Sequence, residues 1–218
     1  MSSSNHAAKA KRLRFAPLAI ATGVLGAVLL SVSMSGTLSG FVASIQNTTN
    51  TAASGALTMQ EQNSGATVTC SSTDGGTVST NTATCGGINK FGGSTTMVPG
   101  QTVTTPITIK NTGSVTANTF TLTPGTTCTQ TANGALNGTA TDLCAKMTVV
   151  ITNTTASPNT TIYSGTLAGL ASGGAISLPT VAAGATTGFS FAVTLASTAG
   201  NTYQGLAASL PLTWTYTS

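Results

Sequence analysis

Charged side chains are scarce in this chain. Only 5% of its 218 residues are Asp, Glu, Lys or Arg, although the formal net charge is +4. Four of the seven basic residues lie near the amino end: Lys9, Lys11, Arg12 and Arg14. Residues 40–218 therefore keep three lysines and three acidic residues, whose charges balance. No basic patch remains there to neutralise phosphates, so we expect no nucleic-acid partner.

Histidine is almost absent, and this argues against most catalytic sites. The only one is His6, so the rest of the chain offers no Ser-His-Asp or Cys-His arrangement and no HExxH zinc motif. The three acidic residues are single and far apart in sequence: Glu61, Asp74 and Asp142. A serine–lysine pair stays open as a catalytic alternative, although a solvated side chain is the commoner role for lysines such as Lys90, Lys110 and Lys146. We therefore expect no enzyme, no cofactor and no metal site.

The amino-terminal segment combines the features of a secretory signal peptide. The basic residues precede an apolar run from Phe15 to about Val32, and small residues follow up to Gly40. We predict a signal-peptide helix within residues 1–39, removed by signal peptidase between Ser39 and Gly40. The chain should then be secreted or held at the cell surface, with no stable membrane span after processing. A retained membrane anchor is the alternative, because the run is almost long enough to cross a bilayer.

Four cysteines lie beyond this segment: Cys70, Cys85, Cys128 and Cys144. An even number in an exported chain indicates two disulfides, for which three connectivities are possible. We favour the local pairs Cys70–Cys85 and Cys128–Cys144, each of which closes a loop rich in Thr and Gly. Each pair should stabilise the fold by about 3 kcal/mol in the chain-entropy model. No two cysteines have the close spacing of a zinc site.

Apolar residues alternate with polar ones through much of the remaining sequence. Clear cases are Val103–Ile109, Met147–Ile151 and Phe189–Leu195, and the longest is Leu206–Tyr216, which keeps one apolar face throughout. A period of two is typical of a strand with one buried face. Pro211 lies on the opposite face of the last run and predicts an edge strand or a bulge there. Such strands must pair their apolar faces, so we predict an all-β fold, an antiparallel β-sandwich resembling a jelly roll.

These assignments divide the chain into three parts: a signal peptide at 1–39, an extended amino-terminal arm at 40–54 and a β-sandwich domain at 55–218. The arm is polar apart from three residues: Phe41, Val42 and Ile45. Within the domain we expect an irregular zone at 60–100, which the first disulfide closes. We expect a helix only around Leu167–Ala171.

Three motifs, in the same order, resemble the TasA/camelysin family. Gly36–Phe41 followed by Thr51–Leu57 is similar to the family's amino end, where a SipW-type peptidase cuts the signal peptide. Pro99–Val103 with Ile107–Ser114 is similar to its Pro-Gly-Asp strand and Asn-x-Gly-Ser turn. Asn201–Gly205 resembles the Asn-x-Tyr-Gln-Gly signature that opens the family's last strand.

This resemblance implies an exported jelly-roll protein that forms fibres of a biofilm matrix or of the cell surface. In such fibres the arm of one subunit adds a strand to the sheet of the next, and the apolar arm residues Phe41, Val42 and Ile45 are the candidate contacts. The partners are then further copies of the chain, or other matrix and surface proteins. Two alternatives stay open: a monomeric, adhesin-like surface binding module, and a camelysin-like protease, for which the sequence lacks histidine ligands.

Overall fold

The computed structural model describes residues 45–46 and 49–218. Within this part of the chain, Ala53–Ser218 forms one compact unit, and most of its regular elements are β-strands. The predicted signal peptide lies outside the described residues, and so do its cleavage residues Ser39 and Gly40. Phe41 and Val42 of the arm also lie outside them, whereas Ile45 is described.

One layer of the unit is a six-stranded antiparallel sheet. Its strands, in spatial order, are β2 (Thr69–Ser71), β1 (Met59–Asn63), β3 (Thr102–Asn111), β9 (Thr186–Leu195), β6 (Met147–Asn153) and β7 (Thr160–Thr166). Most apolar inward side chains of the three long central strands are buried, and Ile109, Phe191 and Ile151 are completely so. These are the apolar faces that the alternation predicted.

The second layer consists of two smaller antiparallel sheets. One contains three strands in the order β11 (Leu212–Thr217), β4 (Thr119–Pro124) and β8 (Ile176–Leu178). The other pairs β10 (Leu206–Ser209) with β5 (Thr129–Ala132). Phe120 and Leu122 on β4 are buried, so this layer also turns an apolar face inward.

Aromatic side chains join the two layers. The ring of Phe189 on β9 lies 6.0 Å from that of Phe120 and 4.9 Å from that of Trp214, measured between centroids. Phe191 also contacts Trp214, at 6.4 Å. Edge-on and tilted contacts at these distances add to the free energy gained by burying the rings. The predicted all-β antiparallel sandwich is thus confirmed.

The turn after β3 is organised by a buried asparagine. The side-chain amide of Asn111 donates to the carbonyl oxygens of Val115 at 2.9 Å and Val181 at 3.1 Å, and its oxygen accepts from the Gly113 amide at 3.0 Å. A Cβ at Gly113 would lie 2.8 Å from backbone atoms of Leu57 and Thr58, so the close approach of that segment requires glycine here. The Asn-Thr-Gly-Ser sequence therefore has a structural role in this chain.

Helices are few and short in the described residues. Leu167–Ser172 is helical, as predicted, and it begins after Thr166, whose side-chain oxygen accepts from the Gly169 amide at 3.0 Å. This is the usual hydrogen bond of a helix amino-terminal cap. A second helix, Leu143–Lys146, was not predicted, because four residues are too few to show a helical period. Two 3₁₀ turns, Ser64–Ala66 and Asn201–Tyr203, complete this set.

The prediction of an irregular zone at 60–100 was wrong at its amino end. The strands β1 and β2 lie there, paired with each other, and β1 also pairs with β3 from Met59 opposite Asn111 to Asn63 opposite Ile107. The sequence of β1 is almost entirely polar and carries little strand signal of its own. Its backbone hydrogen bonds to β3 outweigh this weak local preference.

The last apolar run forms two strands instead of one. The break falls at Leu210 and Pro211, and β10 pairs with β5 whereas β11 pairs with β4. Pro211 has no backbone N–H, and its carbonyl accepts from the Gly125 amide at 2.8 Å. The apolar alternation continues across the break because β10 and β11 both turn their even-numbered residues toward the core. The expected edge position is confirmed, since β11 is the first strand of its sheet.

Candidate functional site

A groove of about 620 Å³ opens between the two layers, where β1 lies opposite β11. We call it the β1–β11 groove. Its walls are β1, the residues from Leu210 to Tyr216, and the segment from Asn81 to Phe91 that follows the first disulfide. Most of the side chains that line it are apolar or carry a neutral polar group, and the main apolar ones are Met59, Ile88, Phe91, Leu212, Trp214 and Tyr216.

A carboxylate lies on the inner face of β1 in this groove. Glu61 is opposite Ile109 of β3, which is completely buried, so the Glu61 side chain points toward the core and the residue is buried. A carboxylate that loses water in this way needs a partner of opposite charge or strong hydrogen bonds. Two partners are supplied by distant parts of the chain.

Lys90 and Trp214 are these partners. The Lys90 ammonium nitrogen Nζ lies 2.8 Å from Glu61 Oε1, and the Trp214 indole Nε1–H donates to the same oxygen at 3.3 Å. The exposed fraction of the two charged side chains is 11% for Lys90 and 8% for Glu61. The contact joins β1, the segment after the first disulfide and β11, and it leaves the groove without net charge.

The inward side chains of β11 are only partly covered. Leu212, Trp214 and Tyr216 share the face toward the core, and each remains partly exposed along the groove. The Tyr216 ring packs edge-on against Phe120 at 4.7 Å. Its hydroxyl oxygen is buried and has no hydrogen-bond partner among the described residues. Burial raises the pKa of the Tyr216 phenol far above its ordinary value.

The outer edge of β11 carries free backbone groups. The Pro211 carbonyl accepts from Gly125, and β11 pairs with β4 from Leu212 opposite Pro124 onward. Because the direction of hydrogen bonds alternates along a strand, Thr213 and Thr215 face β4, and the N–H and C=O groups of Leu212, Trp214 and Tyr216 point away from it. No other described strand pairs with this edge.

Each disulfide holds two segments of the compact unit together. Cys70 is bonded to Cys85 and Cys128 to Cys144, which confirms the favoured local pairing. Cys70 and Cys85 also line the groove, so this bond fixes the segment that carries Lys90. No described cysteine is free. Two formed disulfides indicate an oxidising environment such as the outside of the cell.

The sequence predictions for site residues have mixed outcomes. Cys70, Cys85, Cys128 and Cys144 are paired as expected. Of the candidate contact residues Phe41, Val42 and Ile45 only Ile45 is described, and its side chain is fully exposed. The expectation that Lys90 is a solvated lysine was wrong, because its side chain is buried against Glu61. Sequence reasoning missed this pair: the two residues are distant in sequence, and neither stands in a recognisable motif.

The described residues contain no group of three or more His, Cys, Asp or Glu side chains that could hold a metal ion together. Their helices are also too short to cross a lipid bilayer.

No protein-family model matches the chain, and no curated protein is significantly similar to it.

Proposed function

We propose that this chain is a secreted structural subunit that assembles into matrix or surface fibres by strand addition. Residues 40–54 of one copy pair with the open edge of β11 in the next copy and place apolar side chains in its β1–β11 groove. The observation that carries the proposal is the combination of a free strand edge with a row of half-covered apolar side chains beside it.

The backbone of β11 supports the pairing. Leu212, Trp214 and Tyr216 direct their N–H and C=O groups to the open side of the strand. An added strand satisfies such groups whatever its own side chains are, and this is the basis of strand addition in peptide recognition. Because backbone pairing does not depend on the side chains of the arm, side-chain pockets must set its register.

The side chains of the arm suit the groove. In an extended segment Phe41, Ala43 and Ile45 lie on one face, because alternate residues point the same way. The groove offers partly exposed Leu212, Trp214 and Tyr216 along its length. Residues 40–54 contain no charged residue, and the charges of Glu61 and Lys90 neutralise each other. No electrostatic cost therefore opposes insertion of an uncharged arm.

Four further points favour an exported assembly. The disulfides suit an oxidising compartment, and the amino-terminal segment has the pattern of a signal peptide. The resemblance to the TasA/camelysin family points to the same kind of protein, a fibre-forming jelly roll. The low net charge of residues 40–218 leaves little repulsion between copies.

The sole tryptophan of the chain makes the proposal testable, because Trp214 lies in the groove. A protein lacking residues 40–50 should fold and stay monomeric, whereas the chain that begins at Gly40 should form fibres visible by negative-stain microscopy. A synthetic peptide of residues 40–54 should change the Trp214 emission of the truncated protein saturably. It should also stop growth of fibres formed by the chain with its arm.

A matched peptide with Phe41→Ser and Ile45→Ser controls for unspecific contact and should do neither. If the truncated protein polymerises as well as the chain that begins at Gly40, the arm is not the donor. If the chain with its arm stays monomeric at high concentration and across pH, the alternative of a monomeric binding module takes the place of the fibre subunit.

A further inference from the structure

A second cavity lies behind β10, on the other side of Leu210 from the groove. Its volume is about 380 Å³. We call it the β10 cavity. It lies between β10, the end of β9, the helix Leu143–Lys146 and the segment Asn89–Pro99. Phe91 and Leu210 line both this cavity and the β1–β11 groove.

The lining of the β10 cavity is apolar at its centre. Leu143, Leu195 and Ala199 are buried there as a small cluster apart from the main core. Around them pack partly exposed apolar side chains: Met97, Met147, Tyr203, Leu206 and Ala208. The two methionines in the lining give it an adaptable surface, because their unbranched side chains fill gaps of different shapes. None of the described residues that line the cavity is charged.

The fold explains why this region is not filled by its own side chains. β10 has only four residues and pairs with β5 alone, so a narrow two-stranded ribbon forms this wall. The opposite wall is an irregular segment, joined to the ribbon side by a hydrogen bond from the Asn133 side-chain amide to the Thr95 carbonyl at 3.2 Å. Protein interiors normally pack as densely as organic crystals. The short ribbon and the irregular segment therefore leave a space of about 380 Å³ that the side chains of this chain do not fill.

Polar groups stand at the rim of the cavity. The amides of Asn89, Asn133 and Gln204 are among its lining residues. Tyr203 is held at one side, since its hydroxyl donates to Asp142 Oδ1 at 2.7 Å. That hydrogen bond, followed by burial and the Asp142 charge, raises the pKa of Tyr203, so the ring presents a neutral face.

Exposed apolar side chains flank the same cavity. Val98, which is 60% exposed, stands between Met97 and Pro99, and both neighbours line the cavity. Leu136 is 88% exposed in the loop whose backbone approaches Gly205, another lining residue. They are two of only four large apolar side chains exposed in the described residues.

The geometry points to a binding site for a small, neutral, largely hydrocarbon molecule that carries one hydrogen-bonding group. The volume is at the small end of the range for small-molecule sites, and the pattern of apolar walls with a few polar groups is typical of them. The uncharged lining disfavours carboxylates, phosphates and ammonium groups, whose desolvation nothing in the cavity offsets. The rim amides are placed to bind a hydroxyl, carbonyl or secondary amine. This inference does not depend on fibre assembly.

Two probes that share one ring system test the site on the monomeric protein with both disulfides formed. N-phenyl-1-naphthylamine is neutral, and 1-anilinonaphthalene-8-sulfonate adds a negative charge to the same skeleton. The neutral probe should bind saturably, with a dissociation constant on the order of 10–100 μM, which is ordinary for a ligand of its size. The sulfonate should bind at least about tenfold more weakly, because its charge must be desolvated.

Methionine methyl groups locate the bound probe by NMR. The methyl signals of Met97 and Met147 should shift with the neutral probe, whereas that of Met59, which lies in the β1–β11 groove, should not. The substitutions Met97→Leu and Met147→Leu assign the signals. If Met59 shifts and the other two do not, the site is the groove and the inference fails. If no probe binds saturably, it fails as well.

A variant in which a larger side chain fills the β10 cavity tests the same site by mutation. Ala208→Phe places a ring in the space and should weaken binding of the neutral probe at least about tenfold, since overfilling the site carries a steric cost. Thr129→Phe, on the exposed side of β5 and outside the lining, is the control and should bind as the wild type does. Unchanged binding to a folded Ala208→Phe protein would overturn the assignment. Because every readout uses monomer, failure here leaves the fibre proposal untouched, and the reverse also holds.

Discussion

Lys90 and Glu61 form a buried ion pair, with 2.8 Å between the ammonium nitrogen and one carboxylate oxygen. It is the only salt bridge in the described part of the chain. Trp214 donates to the same oxygen, so three segments far apart in sequence meet at one atom. The pair thus fixes the position of the segment after the first disulfide against β1 and β11.

Removal of one partner should be costly. Lys90→Met leaves the Glu61 carboxylate buried without its counter-charge and should lower the free energy of unfolding by about 3 kcal/mol or more. The double variant Glu61→Gln/Lys90→Met, which leaves no buried charge, should be considerably more stable than Lys90→Met alone. Urea denaturation followed by Trp214 fluorescence measures both. Lys110→Met, which removes no described ion pair, should change stability by less than about 0.5 kcal/mol. If the losses of stability from Glu61→Gln and Lys90→Met simply add in the double variant, the two side chains are not energetically coupled.

Tyr216→Phe should not destabilise the protein. The Tyr216 hydroxyl is buried with no described partner, so its removal takes away an unsatisfied group, and we expect stability to rise by about 1 kcal/mol. Tyr163→Phe is the matched control, because the Tyr163 hydroxyl donates to the Thr166 carbonyl at 2.8 Å. That variant should lose about 1 kcal/mol. Equal effects of the two substitutions would show that Tyr216 has a partner in solution.

Tyr216 should also make stability depend on pH in the alkaline range. Its pKa is raised by burial above the ordinary value of 10.0, so the unfolded chain loses this proton before the folded chain does. The contribution is therefore fully present below pH 10 and is lost as pH rises further, with a slope of up to about 1.4 kcal/mol per pH unit. The free energy of unfolding, measured by denaturation between pH 8 and 11, should fall more steeply with pH for the wild type than for Tyr216→Phe. Parallel curves would contradict this.

The two disulfides should differ in what they hold. They span 15 and 16 residues, so loop closure should contribute about 3 kcal/mol to each. Replacement of Cys128 and Cys144 by alanine should lower the free energy of unfolding by that amount. Replacement of Cys70 and Cys85 should cost more, because it also frees the segment that carries Lys90. Thermal unfolding compares the two double variants, and Trp214 emission should change only in the second. If the Trp214 emission changes in both double variants, or in neither, the Cys70–Cys85 bond has no specific role in holding the groove.

Much of the fold could be predicted from the sequence, for a physical reason. Strands β3, β6 and β9 are long and amphipathic, so their period of two is visible without any tertiary information. The disulfides followed from an even cysteine count and from local spacing. β1 could not be recognised, because its sequence is polar and its strand conformation depends on pairing with β3.

The candidate site was harder to predict than the fold. The apolar face of Trp214 and Tyr216 was visible in the alternation, but alternation does not reveal that the strand is broken at Pro211. Nor does it show that one edge of β11 is open. Glu61 and Lys90 meet only in the folded chain, since neither has a local signal that predicts burial. The β10 cavity arises from a shortage of side-chain volume, which no sequence motif records.

The burial of the Glu61–Lys90 pair has a consequence for the surroundings in which the protein can work. Dissolved ions screen exposed charges strongly and buried pairs only weakly, and the other charged residues of the described chain are just Asp74, Asp142, Lys110 and Lys146. Neither the fold nor an uncharged strand contact should then respond much to salinity. If the chain assembles by strand addition as proposed, its fold and its subunit contacts should be the same in fresh water and in brine.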